Sequence, residues 1–281
     1  MIEPDTSVIV TTYRRPDALA LVLRGLASQE GGSFEVLVAD DGSGDETAAA
    51  VRRLRDETGL GGRLRHVWHE DRGFRAAAIR NRAIARARGA WIVFLDGDCV
   101  PRPTLLARHR LERAPGCAVR GSRVLLSPRA TERICREQPP IHAWPLPRWW
   151  SLRLRGGVNR VLPLAPMPTR AGVPPRGEGW QAFRTCHAGA WREDLLAVDG
   201  FDEAYEGWGH EDADLAVRLL AHGLVVKRLA RGSAVVHLWH AGEDRGLEPR
   251  NRARLEAVAA SGRVRAERGI SAAEDDAREL A

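Results

Sequence analysis

The chain reads as an α/β protein with a mostly parallel central sheet flanked by helices. Three observations predict this. Strand-like apolar runs alternate four times with helical stretches in the first hundred residues. Two of those runs end in carboxylate pairs, where an open α/β sheet places its ligands. The length of 281 residues, with 44% hydrophobic residues, is enough for one large domain or two small ones.

Each element has its own signal. Residues 7–12 (Ser-Val-Ile-Val-Thr-Thr) are β-branched and read as a first strand. Pro16 is placed to open a helix, and Leu19, Leu23 and Leu26 form its apolar stripe. Residues 34–39 predict a second strand, running into Asp40-Asp41-Gly42-Ser43-Gly44. Residues 47–54 predict a helix and 64–68 a third strand. Residues 73–88 predict a helix capped by Gly89. Residues 91–95, Trp-Ile-Val-Phe-Leu, are too few for a typical helix and read as a buried strand, followed by Asp96-Gly97-Asp98. Residues 126–176 carry prolines, arginines and clustered tryptophans without periodicity, and predict a long loop holding one short helix. Order resumes near Arg184. Residues 211–222 predict a helix, with strands at 225–226 and 234–238, and the charged stretch from 243 onward an appended helix.

Composition narrows the function. Cys99, Cys117, Cys135 and Cys186 lack zinc-type spacing and read as small buried hydrophobes of a reducing compartment. The start of the chain leads straight into a strand, which predicts no signal peptide. No apolar run approaches the roughly 20 residues of a membrane span, so a cytoplasmic location is expected. Net charge is +6 and Lys227 is the only lysine, so an arginine-borne excess favours an anionic partner. Neither a Gly-x-Gly-x-x-Gly nor a Walker loop follows the first strand, which argues against dinucleotide and P-loop sites.

Four clusters carry chemistry. Asp96 and Asp98 are alternate residues at a strand end, so both face one side, and Gly97 permits close backbone approach. Hard oxygen ligands of this kind suit Mg²⁺ or Mn²⁺ holding a diphosphate. Asp40 and Asp41 end a neighbouring strand, with Arg72, Arg75 and Arg80 available to offset the acidic edge; taken alone, Asp40-Asp41-Gly42-Ser43 is ordinary turn chemistry. In Gly207-Trp208-Gly209-His210-Glu211-Asp212, the acidic pair suits a helix N-terminus, and Trp208 offers a platform for a sugar ring beside a candidate general base. His237 and His240 flank a strand end. Positions three apart face opposite sides of a strand, so only one of them is expected at a given ion. His66 and His69 share that spacing with less context.

Together these segments resemble bacterial family 2 glycosyltransferases of the GT-A fold, of the type that adds sugars to lipopolysaccharide and capsule. The matching residues are Ser7 to Tyr13, Val38-Ala39-Asp40-Asp41-Gly42-Ser43, Arg80-Asn81, Leu95-Asp96-Gly97-Asp98 with Pro101, Gly200-Phe201-Asp202-Glu203, Gly207 to Asp212, and His237-Leu238-Trp239-His240, in the family's order. The resemblance implies a nucleotide-sugar donor, UDP-linked, bound by Thr11, Tyr13, Asp41, Arg75, Arg80 and Asp96. It implies Mn²⁺ or Mg²⁺ on Asp98 and His237, with His240 as a substitute. Asp212 falls at the catalytic base, Glu211 helps hold the acceptor, and Trp208 and Gly209 line the acceptor site. The acceptor is a glycan or lipid-linked hydroxyl. One departure is His187, where relatives usually carry Asn, which puts the pocket shape in question.

On this reading residues 1–242 are the glycosyltransferase domain: 1–125 the nucleotide-sugar half, 126–176 an insertion or lid, and 177–242 the acceptor half. Residues 243–281 are a helical C-terminal extension. The Trp/Arg/Pro segment suits a lid or a peripheral patch on the inner membrane leaflet, with Trp149 and Trp150 at headgroup depth, or a plain insertion packed on the domain. Two other classes compete. A nucleic-acid-binding protein fits the net charge, but the carboxylates of the cleft would repel a polyanion, so no nucleic acid is expected. A metal-dependent nucleotidyltransferase shares the sheet and the paired carboxylates but usually carries a Gly-rich loop after its first strand.

Overall fold

The computed structural model describes residues 3–166, 179–242, 244–272 and 275–280. Its elements follow in chain order: β1 (Thr6–Thr12), α1 (Pro16–Ala27), β2 (Phe34–Asp40), α2 (Asp45–Glu57), β3 (Leu64–Trp68), α3 (Ala76–Arg86), β4 (Trp91–Asp96), β5 (Cys99–Val100), α4 (Leu105–Glu112), β6 (Cys117–Arg120), β7 (Arg123–Leu125), α5 (Pro128–Glu137), α6 (Leu146–Leu154), β8 (His187–Trp191), α7 (Arg192–Ala197), α8 (Glu211–Ala221), β9 (Val225–Arg228), β10 (Val235–His237), α9 (Glu248–Ser261) and β11 (Arg278–Leu280). The main sheet has the order β11-β3-β2-β1-β4-β8-β6-β9. Strands β3, β2, β1 and β4 are parallel, whereas β8 runs antiparallel to both β4 and β6.

The period-2 pattern of the strands explains the layering. On β1, Val8 and Val10 pack with Leu19, Leu23, Val36 and Val38 on one face, while Ile9 packs with Leu37, Ile79 and Ile92 on the other. Helices α1 and α2 cover the first face, and α3, α7 and α8 the second. From β1 the chain winds outward through β2 to β3, then returns to place β4 on the other side of β1. The carboxyl ends of β1 and β4 therefore flank a topological switch point, the crevice where such sheets bind ligands. Thr11 pairs in register with Asp96 across that point.

Three expectations need correction. Helix α3 ends at Arg86, and Gly89 does not cap it. A Cβ on Gly89 would lie 2.5 Å from the Ser7 nitrogen, so this glycine lets the chain pass close against β1. The proline- and tryptophan-rich segment is structured across its described part: it holds helices α5 and α6 and two short 3-10 turns, while residues 167–176 lie outside the described residues. Its helices are about ten residues each and separated by prolines, too short for periodicity to register. Ser127 caps α5 with Pro128 next to it. Trp144 and Trp149 are buried with ring centroids 5.1 Å apart, so the expected headgroup contact of Trp149 is ruled out; Trp150 remains exposed. The C-terminal stretch is helical at α9 as expected, and it also returns β11 as an antiparallel edge strand on β3. Among the described residues no helix is long and apolar enough to cross a membrane.

Candidate active site

A cleft of about 890 Å³ opens at the switch point, and Thr11, Tyr13, Asp41, Asp96, Asp98 and Asp212 are among the residues that line it. Gly97 sits at the end of β4 with its N–H donating to the Thr11 carbonyl at 2.7 Å. A Cβ there would lie 2.9 Å from Thr12 Oγ1, so only glycine lets the Asp96-Gly97-Asp98 turn seat against β1.

At the centre lies Arg80, buried on α3. Its Nε donates to Thr11 Oγ1 at 3.0 Å, NH1 to Glu211 Oε1 at 3.2 Å and NH2 to Asp96 Oδ1 at 3.3 Å, and NH1 is 3.8 Å from Asp212 Oδ1. Burial works against its charge, but Asp212, Asp96 and Glu211 outweigh burial and hold the guanidinium firmly protonated. Arg80 is thus the internal counterion of three carboxylates, and that is how it offsets the acidic edge. Arg75, expected at the donor, is engaged elsewhere. Its side chain pairs with Asp276 at 3.1 Å and with the Glu70 carbonyl at 2.7 Å, and only its backbone N–H reaches Asp41, at 2.8 Å. Arg72 pairs with Glu70.

The acidic pair on β2 splits. Asp40 is fully buried, accepting from the Ser43 N–H at 2.8 Å and lying 2.8 Å from His66 Nε2, so turn chemistry accounts for it. Asp41 reaches the cleft wall, with His69 Nε2 at 2.6 Å behind it. Tyr13 is exposed at the rim and donates to Asp71 at 3.0 Å.

Glu211 and Asp212 open α8 after a turn of positive φ at Gly207, Gly209 and His210. His210 is the costly one, a non-glycine residue held in the left-handed region, with its ring 2.8 Å from Glu248. Asp212 is bracketed by Thr185, whose N–H donates to Oδ2 at 3.2 Å and whose hydroxyl donates to Oδ1. Trp208 lines the cleft next to Gly209, and Arg245 stacks 4.5 Å over its ring. Burial, reinforced by Asp212 and only partly offset by Arg80, pushes Glu211 up to about 7. Burial also raises Asp96 to about 6, against the pull of Arg80.

A pH test follows. Glu211 ordinarily titrates near 4.5, so its raised value means the folded state holds the proton more tightly. That contribution is present in full below about 4.5 and is lost as pH rises through about 7. Glu211→Gln should therefore raise the melting temperature at pH 8, by the equivalent of about 2 kcal/mol, and leave it near the parent value at pH 5. Burial depresses His109 and His187 and gives the opposite slope, so the difference between variant and parent is the quantity to measure in thermal melts. An equal effect at both pH values would overturn the assignment.

Asp98 is bonded by Arg15 NH1 at 2.9 Å and lies 3.8 Å from His237 Nε2 and 3.6 Å from His240 Nε2. Both histidines reach it, contrary to the expectation of one. Strand β10 ends at His237, so the alternation of a strand no longer separates the two rings, whose centroids are 5.3 Å apart. A small sheet makes this meeting: β10 pairs antiparallel with β5, placing His237 opposite Cys99, and the Leu238 N–H donates to the Asp98 carbonyl at 2.9 Å. One atom from each of Asp98, His237 and His240 falls within 4.8 Å of the others, a donor set that can hold a divalent cation. One carboxylate with two imidazoles fits Mn²⁺ better than Mg²⁺, which prefers an all-oxygen shell.

His187 points away from the cleft. Trp91 donates to His109 at 3.3 Å, His109 and His187 share a 3.1 Å contact, and His187 Nδ1 lies 3.2 Å from the Ser122 carbonyl. That chain is satisfied by one set of tautomers and belongs to the core. Arg15, Arg123 and Thr185 escaped the sequence reading, because isolated residues on loops and short strands carry no periodic signal.

The doubly wound sheet with carboxylates at its switch point has the GT-A architecture of its structural neighbours. Residues 7–111 match the model for glycosyl transferase family 2, and residues 176–241 match the model described as the N-terminal domain of galactosyltransferase. The chain belongs to the family 2 glycosyltransferases. It is 33% identical over 237 residues to a validoxylamine A glucosyltransferase of Streptomyces hygroscopicus subsp. jinggangensis, covering 79% of this chain and 52% of that protein. It is 27% identical over 250 residues to a hyaluronan synthase of Pasteurella multocida, covering 79% of this chain and 23% of that protein. The chain thus spans at most about half the length of these relatives. Solved structures share the fold. TarS residues 1–349 of S. aureus in complex with UDP-GlcNAc gives a TM-score of 0.64 at 16% identity, over 94% of this chain and 67% of that one. The mannosyltransferase PcManGT of Pyrobaculum calidifontis, in complex with GDP-Man and Mn²⁺, gives 0.54 at 19% identity, over 93% and 74%.

Proposed function

We propose that this chain transfers a sugar from a nucleoside-diphosphate donor, UDP-linked, to a hydroxyl of a glycan or lipid-linked acceptor, with inversion and with Mn²⁺ as cofactor. The observation that carries the reading is the arrangement of one cleft: Asp98 with two histidines on one wall, Asp212 oriented by Thr185 on another, and Arg80 between the acidic groups.

Asp98, His237 and His240 would hold the cation, which when bound neutralises the departing diphosphate. Thr11, Tyr13, Asp41 and Asp96 line the cleft; on this reading they take the donor, with Asp96 toward a ribose hydroxyl. Asp212 takes the proton of the attacking hydroxyl. Glu211 is held by Arg80 at 3.2 Å and lacks the Thr185 contacts that aim its neighbour, so the base role falls to Asp212. Thr185 aims the Asp212 carboxylate with two hydrogen bonds, which limits the reorganisation needed in the transition state. One base suffices, because a single displacement forms no covalent intermediate. Trp208 and Gly209 border the acceptor side.

Release of free nucleoside diphosphate across a panel of nucleotide sugars tests the reading. Release should need Mn²⁺, cease in a chelator and return when Mn²⁺ is added back. Asp98→Asn and His237→Ala should each weaken Mn²⁺-dependent donor binding in calorimetry. Full turnover in the chelator, or release of pyrophosphate from a nucleoside triphosphate, would overturn it.

A further inference from the structure

Beside the Asp98 site stands a second group of ligand atoms of different chemistry. Asp96, Cys99 and Cys186 each present one atom, and the three lie within 4.8 Å of one another. The two cysteines are far apart in the chain. Cys99 follows Asp98 on β5, and Cys186 directly precedes β8, which runs antiparallel to β4 and so returns Cys186 to the level of Asp96. Cys186 lines the cleft and Cys99 lies fully buried behind it.

We propose that Asp96, Cys99 and Cys186 form an inhibitory site for a thiophilic divalent ion such as Zn²⁺ or Cd²⁺, distinct from the site at Asp98. Three features carry this. Zn–S bonds of about 2.3 Å and Zn–O bonds of about 2.0–2.2 Å put the ligands of a tetrahedral site about 3.5–3.8 Å apart, so small side-chain rotations close the present group around an ion. Thiolates select Zn²⁺ and its soft analogues over Mg²⁺ and Mn²⁺, so the cofactor does not compete effectively there. Arg123 NH1 donates to Cys186 Sγ at 3.3 Å, which holds that sulfur in place at the cleft wall.

Binding replaces two thiol protons by one metal ion; both protons leave to solvent and no electron moves. It draws Asp96 away from Arg80, 3.3 Å distant, and removes the thiol contact from Cys99 Sγ to Asp98 Oδ1 at 3.6 Å. The ion thereby disturbs both the donor wall and the neighbouring cation site.

The test is titration of the full chain with Cd²⁺, reading the ultraviolet thiolate-to-metal charge-transfer band. One equivalent should produce the band. Cys99→Ala and Cys186→Ser should each abolish it or weaken Cd²⁺ binding by more than about tenfold, whereas Cys117→Ala, Cys135→Ala and His240→Ala should retain it. A band that survives in Cys99→Ala and Cys186→Ser, or no band in the parent chain, overturns the site. This arm needs no turnover, so it stands apart from the proposed transferase reaction. In the activity arm, Zn²⁺ added over saturating Mn²⁺ should inhibit the parent, and Cys186→Ser should need more than about tenfold more Zn²⁺ for half-inhibition of its own Mn²⁺-supported rate. Equal sensitivity of the two would show that Zn²⁺ acts at Asp98, His237 and His240, and would overturn the inhibitory role.

Discussion

Asp212→Asn should lower sugar transfer by roughly 10²–10⁴-fold while nucleotide-sugar affinity stays close to that of the parent chain. The amide keeps the shape of the carboxylate but cannot take a proton from the attacking hydroxyl. Glu211→Gln is the matched control. Because Glu211 is pushed up to about 7, so partly protonated near neutrality, and is not aimed by Thr185, replacing it with a neutral isostere should reduce turnover far less. Turnover of both variants, with donor affinity measured by calorimetry, decides between the two neighbouring carboxylates. If Glu211→Gln is the more damaging change, the roles are exchanged. Thr185→Val should fall between them, since it leaves the Asp212 carboxylate in place but removes the hydroxyl that aims it.

Arg80→Met should destabilise the protein by about 3–5 kcal/mol, because it leaves buried carboxylates without their cation. In a chain of this size that corresponds to a fall in melting temperature of roughly 10 °C. Asp96, Glu211 and Asp212 all point at the guanidinium, and Thr11 fixes it from β1. The loss should shrink at pH 5, where Glu211 and Asp96, raised to about 7 and about 6, take up protons and no longer need a counterion. Arg80→Lys should recover part of the stability but not the geometry, since an ammonium cannot serve four oxygen partners along a planar fork. Melting at pH 7.5 within 2 °C of the parent, a margin well below the roughly 10 °C expected, would show that Arg80 is not the counterion described.

Much of the fold was legible because strands β1 to β4 are apolar runs with β-branched residues, and their alternation with helices admits few arrangements. The carboxylates at Asp41, Asp96 and Asp98 were legible for the same reason, since a parallel sheet brings its strand ends to one edge. Helices α5 and α6 were not, because their stability comes from burying Ile134, Trp149 and Leu152 against the main core and not from a local repeat. Arg75 shows the reverse case. Its position beside the acidic edge was suggestive, yet Asp276, two hundred residues away, turns its side chain elsewhere.

Local pattern alone gave the α/β class, the alternation of strands and helices in the first hundred residues and the carboxylate pairs at strand ends. These rest on local periodicity and on the rule that ligands gather where strand order reverses. The folded arrangement alone makes Arg80 a buried counterion, aims Asp212 through Thr185 and brings both His237 and His240 to Asp98. Each of these depends on pairing between distant segments, above all β10 on β5, and strand pairing is a non-local choice that no window of the chain encodes.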